Sequence, residues 1–176
     1  MSKILFITTS PNVGGNGDVI VETAGAAAAE LGAEITTLHV RDMKISSYLP
    51  GAGGEADDFA QILEAAKAAD SIIVTAPIYF NLPSAPAIAV LNQFVAVRGP
   101  QYVPSGVQKK LAVVLTCGGS DPDKMKEIGE LAVMYFEQVK ECRVEVFNQL
   151  SKAKDVCKNT PEYLARAAEI GKWAAE

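Results

Sequence analysis

The sequence predicts a three-layer α/β/α sandwich built on a five-stranded parallel sheet. Short runs that are apolar on both faces alternate along the chain with segments of helical length. This alternation is typical of parallel sheets, whose crossover helices cover both faces. Among doubly wound sheets we expect the strand order 2-1-3-4-5, with a ligand at the carboxyl ends of the strands. Neither a repeat nor a linker divides the 176 residues, so one domain spanning residues 1–176 is expected.

Each predicted element follows from a local pattern. The strands are the apolar, β-branched runs at residues 4–8, 34–40, 71–76, 111–116 and 144–147. The helices are the intervening segments at residues 19–31, 57–69, 84–97, 124–139 and 161–175. Boundary residues support these assignments, since Asp18 can cap the first helix and Gly32 follows its end. Pro122 opens the fourth helix, and Pro161 lies in the first turn of the last.

Composition and charge argue against several classes of function. The net charge of −5 disfavours binding to nucleic acid or to an anionic membrane through a basic surface. The first apolar run ends at Thr8, far short of a signal-peptide core or a membrane span, so a cytoplasmic protein is expected. Cys117, Cys142 and Cys157 lie far apart, and this spacing indicates neither a disulfide framework nor a metal site.

Three loops at the carboxyl ends of strands carry the residues that point to function. The first, residues 9–18, is a glycine-rich polar loop before a helix, where backbone N–H groups and the helix dipole attract phosphate. The second, residues 77–83, places Tyr79 and Phe80 where they can stack on a planar heterocycle while Asn81 hydrogen-bonds its edge. The third, residues 117–120, offers the unobstructed N–H groups of Gly118 and Gly119. In the predicted strand order these loops converge on one crevice.

Each of these features also has a simpler explanation. The first loop is neither a Walker A sequence nor a Gly-x-Gly-x-x-Gly fingerprint, and it can be a connection that binds no ligand. Tyr79 and Phe80 can pack on neighbouring helices or a second subunit, and the third loop can be a tight turn. His39, the single histidine, lies in the second predicted strand, away from the ligand edge, which favours a structural role. Cys117 lies next to the expected position of the planar heterocycle, but a lone buried cysteine more often has a packing role than a reactive one.

Taken together, these segments resemble the flavodoxin-like NAD(P)H-dependent FMN reductases, a group that includes quinone reductases and iron–sulfur flavoproteins. The resemblance runs through nearly the whole chain, and the Pro77-Ile78-Tyr79 turn is its most specific motif. It implies a flavodoxin-like fold that holds the FMN phosphate in the first loop and the flavin along the second and third. The FMN-binding residues implied in this way are Ser10, Asn12, Gly15, Asn16 and Gly17 near the phosphate, and Pro77, Ile78, Tyr79, Phe80, Asn81, Cys117, Gly118 and Gly119 near the flavin.

The chain departs from the family pattern in the phosphate loop. The family usually has an arginine after Ser-Pro and ends the loop in Gly-Asn-Thr, whereas this chain has Asn12 and Gly17 at those positions, followed by Asp18. A positive charge and a hydroxyl donor are therefore missing, and a carboxylate that faced the phosphate would repel it. These changes predict a reduced affinity for flavin, or its loss. Residues 41–56 also lack the cysteine cluster of the iron–sulfur branch, so no cluster is expected.

The resemblance implies an oxidoreductase that transfers a hydride from NAD(P)H through FMN to a quinone, a free flavin or a similar small-molecule acceptor. The flavin carries such chemistry, so no side chain is named as catalytic. Two alternatives stay open: a flavodoxin-like electron carrier, and a flavodoxin-like binding or scaffold protein that has lost FMN. A homodimer or homotetramer is also implied, and neither a nucleic-acid nor a membrane partner is expected.

Overall fold

Five parallel strands form the central sheet of the computed structural model, which describes residues 1–46, 57–96, 109–133, 139–148, 150 and 155–176. In spatial order the long strands are β2, β1, β3, β5 and β6. A short strand, β4, pairs antiparallel with the end of β3. Without β4 this is the predicted order 2-1-3-4-5, which is therefore confirmed. The strands are β1 (Lys3–Thr8), β2 (Glu34–His39), β3 (Ser71–Tyr79), β4 (Leu82–Pro83), β5 (Lys109–Thr116) and β6 (Val139–Phe147).

Helices cover both faces of this sheet. Two of them, α1 and α5, pack on one face, and α2, α3 and α4 pack on the other. A single 3-10 turn, Val40–Asp42, follows β2. This arrangement is the predicted three-layer sandwich. The helices are α1 (Asn16–Glu30), α2 (Phe59–Ala68), α3 (Ala85–Ala96), α4 (Pro122–Val133) and α5 (Pro161–Ala175).

The core lies on both sides of the sheet because successive residues of a strand face opposite directions. In β1, Ile4 and Phe6 pack against α1 and α5, whereas Leu5 and Ile7 pack toward α2 and α3. All four side chains are almost completely buried. A strand buried on both faces is apolar at every position, which is why the sequence showed continuous runs rather than alternation.

The two helices on the first face contact each other directly. Ala24 of α1 and Ile170 of α5 are fully buried there. The closest approach is at Gly171, where a Cβ atom would lie 1.9 Å from the carbonyl oxygen of Ala24. The absence of a side chain at Gly171 therefore allows α5 to pack against the backbone of α1.

Residues 77–83 were predicted as a loop, and this prediction is wrong. Pro77 stays within β3, paired with Thr116 of β5, and its carbonyl accepts the N–H of Ser84 at 2.9 Å. Beyond it, β3 and β4 form a hairpin whose two turn residues, Phe80 and Asn81, have φ of 50° and 63°. Asn-Gly usually occupies these two turn positions. Because phenylalanine stands at the first of them, the hairpin was not predicted from the sequence.

The prediction of a helix to residue 139 and a strand from residue 144 is also wrong. Helix α4 ends at Val133 and β6 already begins at Val139, while residues 134–138 lie outside the described part. Glu141 and Arg143 interrupt the apolar pattern at the start of β6. An edge strand has one neighbour in the sheet and so tolerates such charged positions.

Helix boundaries agree with the sequence at three of the four predicted positions. Pro122 and Pro161 open α4 and α5, and Gly32 follows α1 with φ of 84°. Asp18 does not cap α1, because the cap residue is Gly15 and Asp18 lies inside the first turn. Among the described helices, none is long and apolar enough to cross a membrane.

The amino edge of the sheet is closed by hydrogen bonds to the ends of helices. The ammonium of Lys109 donates to the carbonyls of Lys67 and Ala69 beside the end of α2, and burial lowers the pKa of Lys109. Lys110 donates to the Trp173 carbonyl at 2.7 Å, and Ser71 donates to the Ala174 carbonyl at 2.7 Å. These hydrogen bonds satisfy carbonyl groups at the ends of α2 and α5. In doubly wound sheets ligands bind at the opposite edge, where the carboxyl ends of the strands lie.

Candidate functional site

The loop between β1 and α1 forms a compact turn at the carboxyl edge. Gly14 adopts φ of 64°, which costs glycine no steric strain. The N–H of Gly15 donates to the Asn12 carbonyl at 3.3 Å, and the N–H of Asn12 donates to the Ser10 hydroxyl at 3.3 Å. The next helix has 15 residues and no side-chain cap. An uncapped helix start is where anions bind in other proteins, because its N–H groups and its dipole both favour negative charge.

Two buried hydroxyl groups lie beneath this helix start. Thr8 is the last residue of β1, Thr75 lies beside it in β3, and both are at most 1% exposed. Among the described residues, neither hydroxyl oxygen has a hydrogen-bond partner. A Cβ atom at Gly17 would lie 3.8 Å from each of these oxygens, so they face the first turn of α1. A buried hydroxyl without a partner is unfavourable, and an anion at the helix start would relieve it.

The amide of Asn16 ties the first turn of α1 to the C-terminal part of the chain. Its oxygen accepts the N–H of Cys157 at 2.8 Å, a contact between residues 141 positions apart. Cys157 is buried, and burial raises its thiol pKa to about 11. The predicted phosphate residues Ser10, Asn12, Gly15, Asn16 and Gly17 thus lie in the turn and the start of α1, which the backbone of Cys157, just before α5, helps to hold.

The acidic residue of the loop is held inside the protein. Asp18 is 3% exposed, and one of its carboxylate oxygens accepts the N–H of Gly14 at 2.9 Å. The other oxygen accepts a hydrogen bond from Arg41 at 2.9 Å. This bond to Asp18 raises the pKa of Arg41, which also donates to the Ser10 carbonyl at 3.4 Å. A positive charge is therefore present behind the loop, although the loop sequence contains none.

The prediction that His39 lies away from the ligand edge is wrong. His39 ends β2 opposite Thr8, and its Nδ1 lies 3.8 Å from the Asp18 carboxylate. Sequence reasoning missed both His39 and Arg41 as neighbours of the loop. The available signal was the predicted adjacency of the first two strands, which brings residues 39–41 beside the end of β1.

The hairpin places two aromatic side chains at the surface. Tyr79 is 48% exposed and Phe80 is fully exposed, whereas Ile78 is buried in the core below them. The alternative that Phe80 packs on neighbouring helices of the chain is therefore wrong. A left-handed backbone conformation is unfavourable for phenylalanine, and strain of this kind often marks a functional surface.

The third loop is buried at one end and exposed at the other. Cys117 is buried, and its thiol donates to the Asn148 amide oxygen at 3.4 Å. Burial raises the pKa of this thiol, which favours packing over reactivity. Gly118 and Gly119 are exposed, although the backbone N–H groups of Gly119 and Ser120 are directed at the Cys117 sulfur.

Hydrogen bonds confirm that the three loops share one edge. The Thr9 hydroxyl, just after β1, donates to the Thr75 carbonyl at 2.9 Å and lies 3.2 Å from the Ser84 hydroxyl. The Ser120 hydroxyl of the third loop donates to the Asn81 amide oxygen of the hairpin at 2.9 Å. Within the described ranges, no group of three or more His, Cys, Asp or Glu could hold a metal ion.

Comparison with known proteins identifies similar sequences. A family model described as NADPH-dependent FMN reductase matches residues 2–126, a range that includes all three loops. An iron–sulfur flavoprotein of Methanosarcina thermophila is 30% identical over 125 residues, which are 67% of this chain and 64% of that protein. The match thus covers less than two thirds of the relative's length.

Solved structures share the fold at lower sequence identity. An NAD(P)H:quinone oxidoreductase from Methanothermobacter marburgensis has a TM-score of 0.76 and 16% identity over 98% of this chain and 96% of its own. A flavone reductase has a TM-score of 0.73 and 21% identity over 98% of this chain and 62% of its own. These similarities confirm the predicted flavodoxin-like architecture.

Proposed function

This chain belongs to the NADPH-dependent FMN reductase family, and we propose that it is an FMN-dependent oxidoreductase that transfers a hydride from NAD(P)H to a quinone, a free flavin or a similar small acceptor. One observation supports this most directly. The buried hydroxyls of Thr8 and Thr75 lack partners beneath the uncapped start of α1, where the phosphate of FMN would supply them. The residues present therefore fit an anionic cofactor tail.

The bound flavin would supply the chemistry, accepting a hydride and passing electrons to the second substrate. The protein then has to bind and orient it. In this proposal residues 10–17 would bind the phosphate, and Tyr79, Phe80 and Asn81 would hold the ring. The exposed backbone of Gly118 and Gly119 would bind the polar edge of the ring.

We also propose that a second copy of the chain covers the hairpin. Tyr79, Phe80 and Leu82 form an exposed apolar cluster at the rim of the ring site. Exposed apolar clusters commonly mark interfaces, and Phe80 retains an unfavourable backbone conformation at the tip. The partner would then complete the ring site. A homodimer is the simplest assembly in which a second copy completes the ring site. We also propose that the protein is cytoplasmic.

Titration of the purified, flavin-free chain with FMN, followed by flavin fluorescence, tests the proposal. Saturable quenching at one FMN per chain is expected, and no binding would refute the oxidoreductase and the electron carrier together. The loaded protein is then mixed with NADH or NADPH without oxygen. Loss of flavin absorbance within seconds supports the oxidoreductase. Binding without reduction by either nucleotide would instead identify an electron carrier.

A further inference from the structure

The ion pair between Asp18 and Arg41 lies directly behind the proposed phosphate loop. We propose that Arg41 is a positioning residue of this site, which neutralises the Asp18 carboxylate and holds the loop in the conformation that accepts the phosphate of FMN. This inference rests on the proposed function. It also accounts for the absence of a basic residue in the loop itself, since the charge comes from the turn after β2.

The electrostatic argument starts from burial. The Asp18 side chain is 4% exposed and that of Arg41 is 14% exposed, so water screens their charges weakly. Without the guanidinium, a phosphate dianion would approach a buried carboxylate of the same sign. With the guanidinium present, the net charge of the Asp18–Arg41 pair is close to zero. The attraction between the phosphate and the N–H groups at the start of α1 then dominates the binding free energy.

The same guanidinium connects three points of the loop. Its Nη1 atom donates to the Ser10 carbonyl at the beginning of the loop and to the Asp18 carboxylate at the end. Asp18 in turn accepts the N–H of Gly14, the residue with positive φ in the middle of the loop. Arg41 is itself anchored in the 3-10 turn that follows β2. Loss of its side chain would remove the link from Ser10 and Asp18 to the turn after β2, whereas the hydrogen bond from Gly14 to residue 18 would remain.

Among the described residues, Asp42 also lies near Arg41. Its carboxylate is 4.0 Å from the Nε atom but 73% exposed, so that contact is weak. The Nε atom is buried and makes no hydrogen bond within the described structure. Nη1 donates to Asp18 and Ser10, and in this proposal Arg41 acts through Asp18, whereas direct contact of its remaining N–H donors with the phosphate is the alternative. This distinction is what the experiment has to resolve.

The experiment compares the wild-type chain with Arg41→Met, Asp18→Asn and the double variant. Methionine keeps much of the apolar stem of arginine, and asparagine can still accept the Gly14 N–H. Dissociation constants are measured by fluorescence for FMN and for riboflavin, which lacks the phosphate. Arg143→Met is the matched control, because it removes a positive charge that is paired with Glu145 on β6.

We expect Arg41→Met to weaken FMN binding by about tenfold or more and to change riboflavin binding by less than about twofold. The double variant should bind FMN within about threefold of the wild type, because the unpaired carboxylate is gone. Asp18→Asn alone should bind FMN at least as tightly as the wild type. The control should leave both affinities unchanged.

A double variant that binds FMN as weakly as Arg41→Met would overturn the inference, since the unpaired Asp18 carboxylate would then not be the cause of the weaker binding. An equal loss for riboflavin would also overturn it, because the effect would not involve the phosphate. If the wild type binds neither flavin, the proposed function fails and inorganic phosphate becomes the probe. Phosphate should then raise the melting temperature of the wild type and the double variant but not of Arg41→Met, and equal shifts in all of them would refute the role of Arg41.

Discussion

Replacing Gly171 with alanine should force apart the two helices on one face of the sheet. The new Cβ atom would lie 1.9 Å from the carbonyl oxygen of Ala24 and 2.7 Å from its carbonyl carbon. Because the obstacle is backbone, no rotamer change relieves the overlap, and α5 has to move by roughly an ångström. Such a shift weakens the dispersion contacts of the buried Ile170 as well. We expect the free energy of unfolding to fall by about 3 kcal/mol, the upper end of typical overpacking costs.

Gly25→Ala is the matched control for this substitution. Gly25 is also a buried helical glycine, but its Cβ atom would lie 3.6 Å from the Ile35 side chain, an ordinary contact. Alanine should therefore stabilise α1 by about 0.5–1 kcal/mol. Urea unfolding followed by circular dichroism measures both changes, and with a slope of about 2 kcal/mol/M the Gly171→Ala midpoint should fall by about 1.5 M. A Gly171→Ala midpoint equal to that of the wild type would refute the reasoning.

Three further substitutions test the hairpin, the helix start and the edge strand. Phe80→Asn should raise the monomer's free energy of unfolding by about 1 kcal/mol, since asparagine tolerates the left-handed turn, while light scattering shows less dimer. An undiminished dimer would contradict the proposed interface. Gly17→Ser should tighten FMN binding by about threefold to tenfold without affecting riboflavin, because it adds a hydroxyl donor, and weaker binding would place the phosphate elsewhere. Burial alone would raise the pKa of Glu145, but hydrogen bonds from Arg166 and Arg143 lower it below 4.5. The ion pairs of Glu145 therefore stabilise the fold fully above pH 4.5, and this contribution is lost as the pH falls through the folded pKa. Glu145→Gln should cost about 1 kcal/mol near neutral pH and progressively less at acidic pH in urea titrations, whereas a cost independent of pH would exclude the ion pairs as its source.

The sheet could be predicted because its central strands are buried on both faces. Each position of β1 from Ile4 to Ile7 has to be apolar, so the strand is visible as an unbroken run. The start of β6 was missed because an edge strand accepts charged residues such as Glu141 and Arg143. The β3–β4 hairpin was missed because Phe80 occupies a turn position that usually belongs to asparagine or glycine.

The candidate site could be predicted in part, since topology alone brings the carboxyl ends of adjacent strands together. That argument located the three loops and their glycines. It could not show that Asp18 turns toward Arg41, because the direction of a side chain depends on packing among residues far apart in sequence. Nor could it distinguish Thr8 and Thr75, whose hydroxyls lack partners, from Thr9, whose hydroxyl is hydrogen-bonded.

The hydrogen bond between Asn16 and Cys157 has a consequence for the order of events during synthesis. The first turn of α1 emerges from the ribosome early, but the backbone group that holds its amide is made only when most of the chain has been translated. Helix α5, which packs on α1, emerges later still. The first turn of α1 therefore lacks this contact, and its packing against α5, until residues 155–176 have been translated.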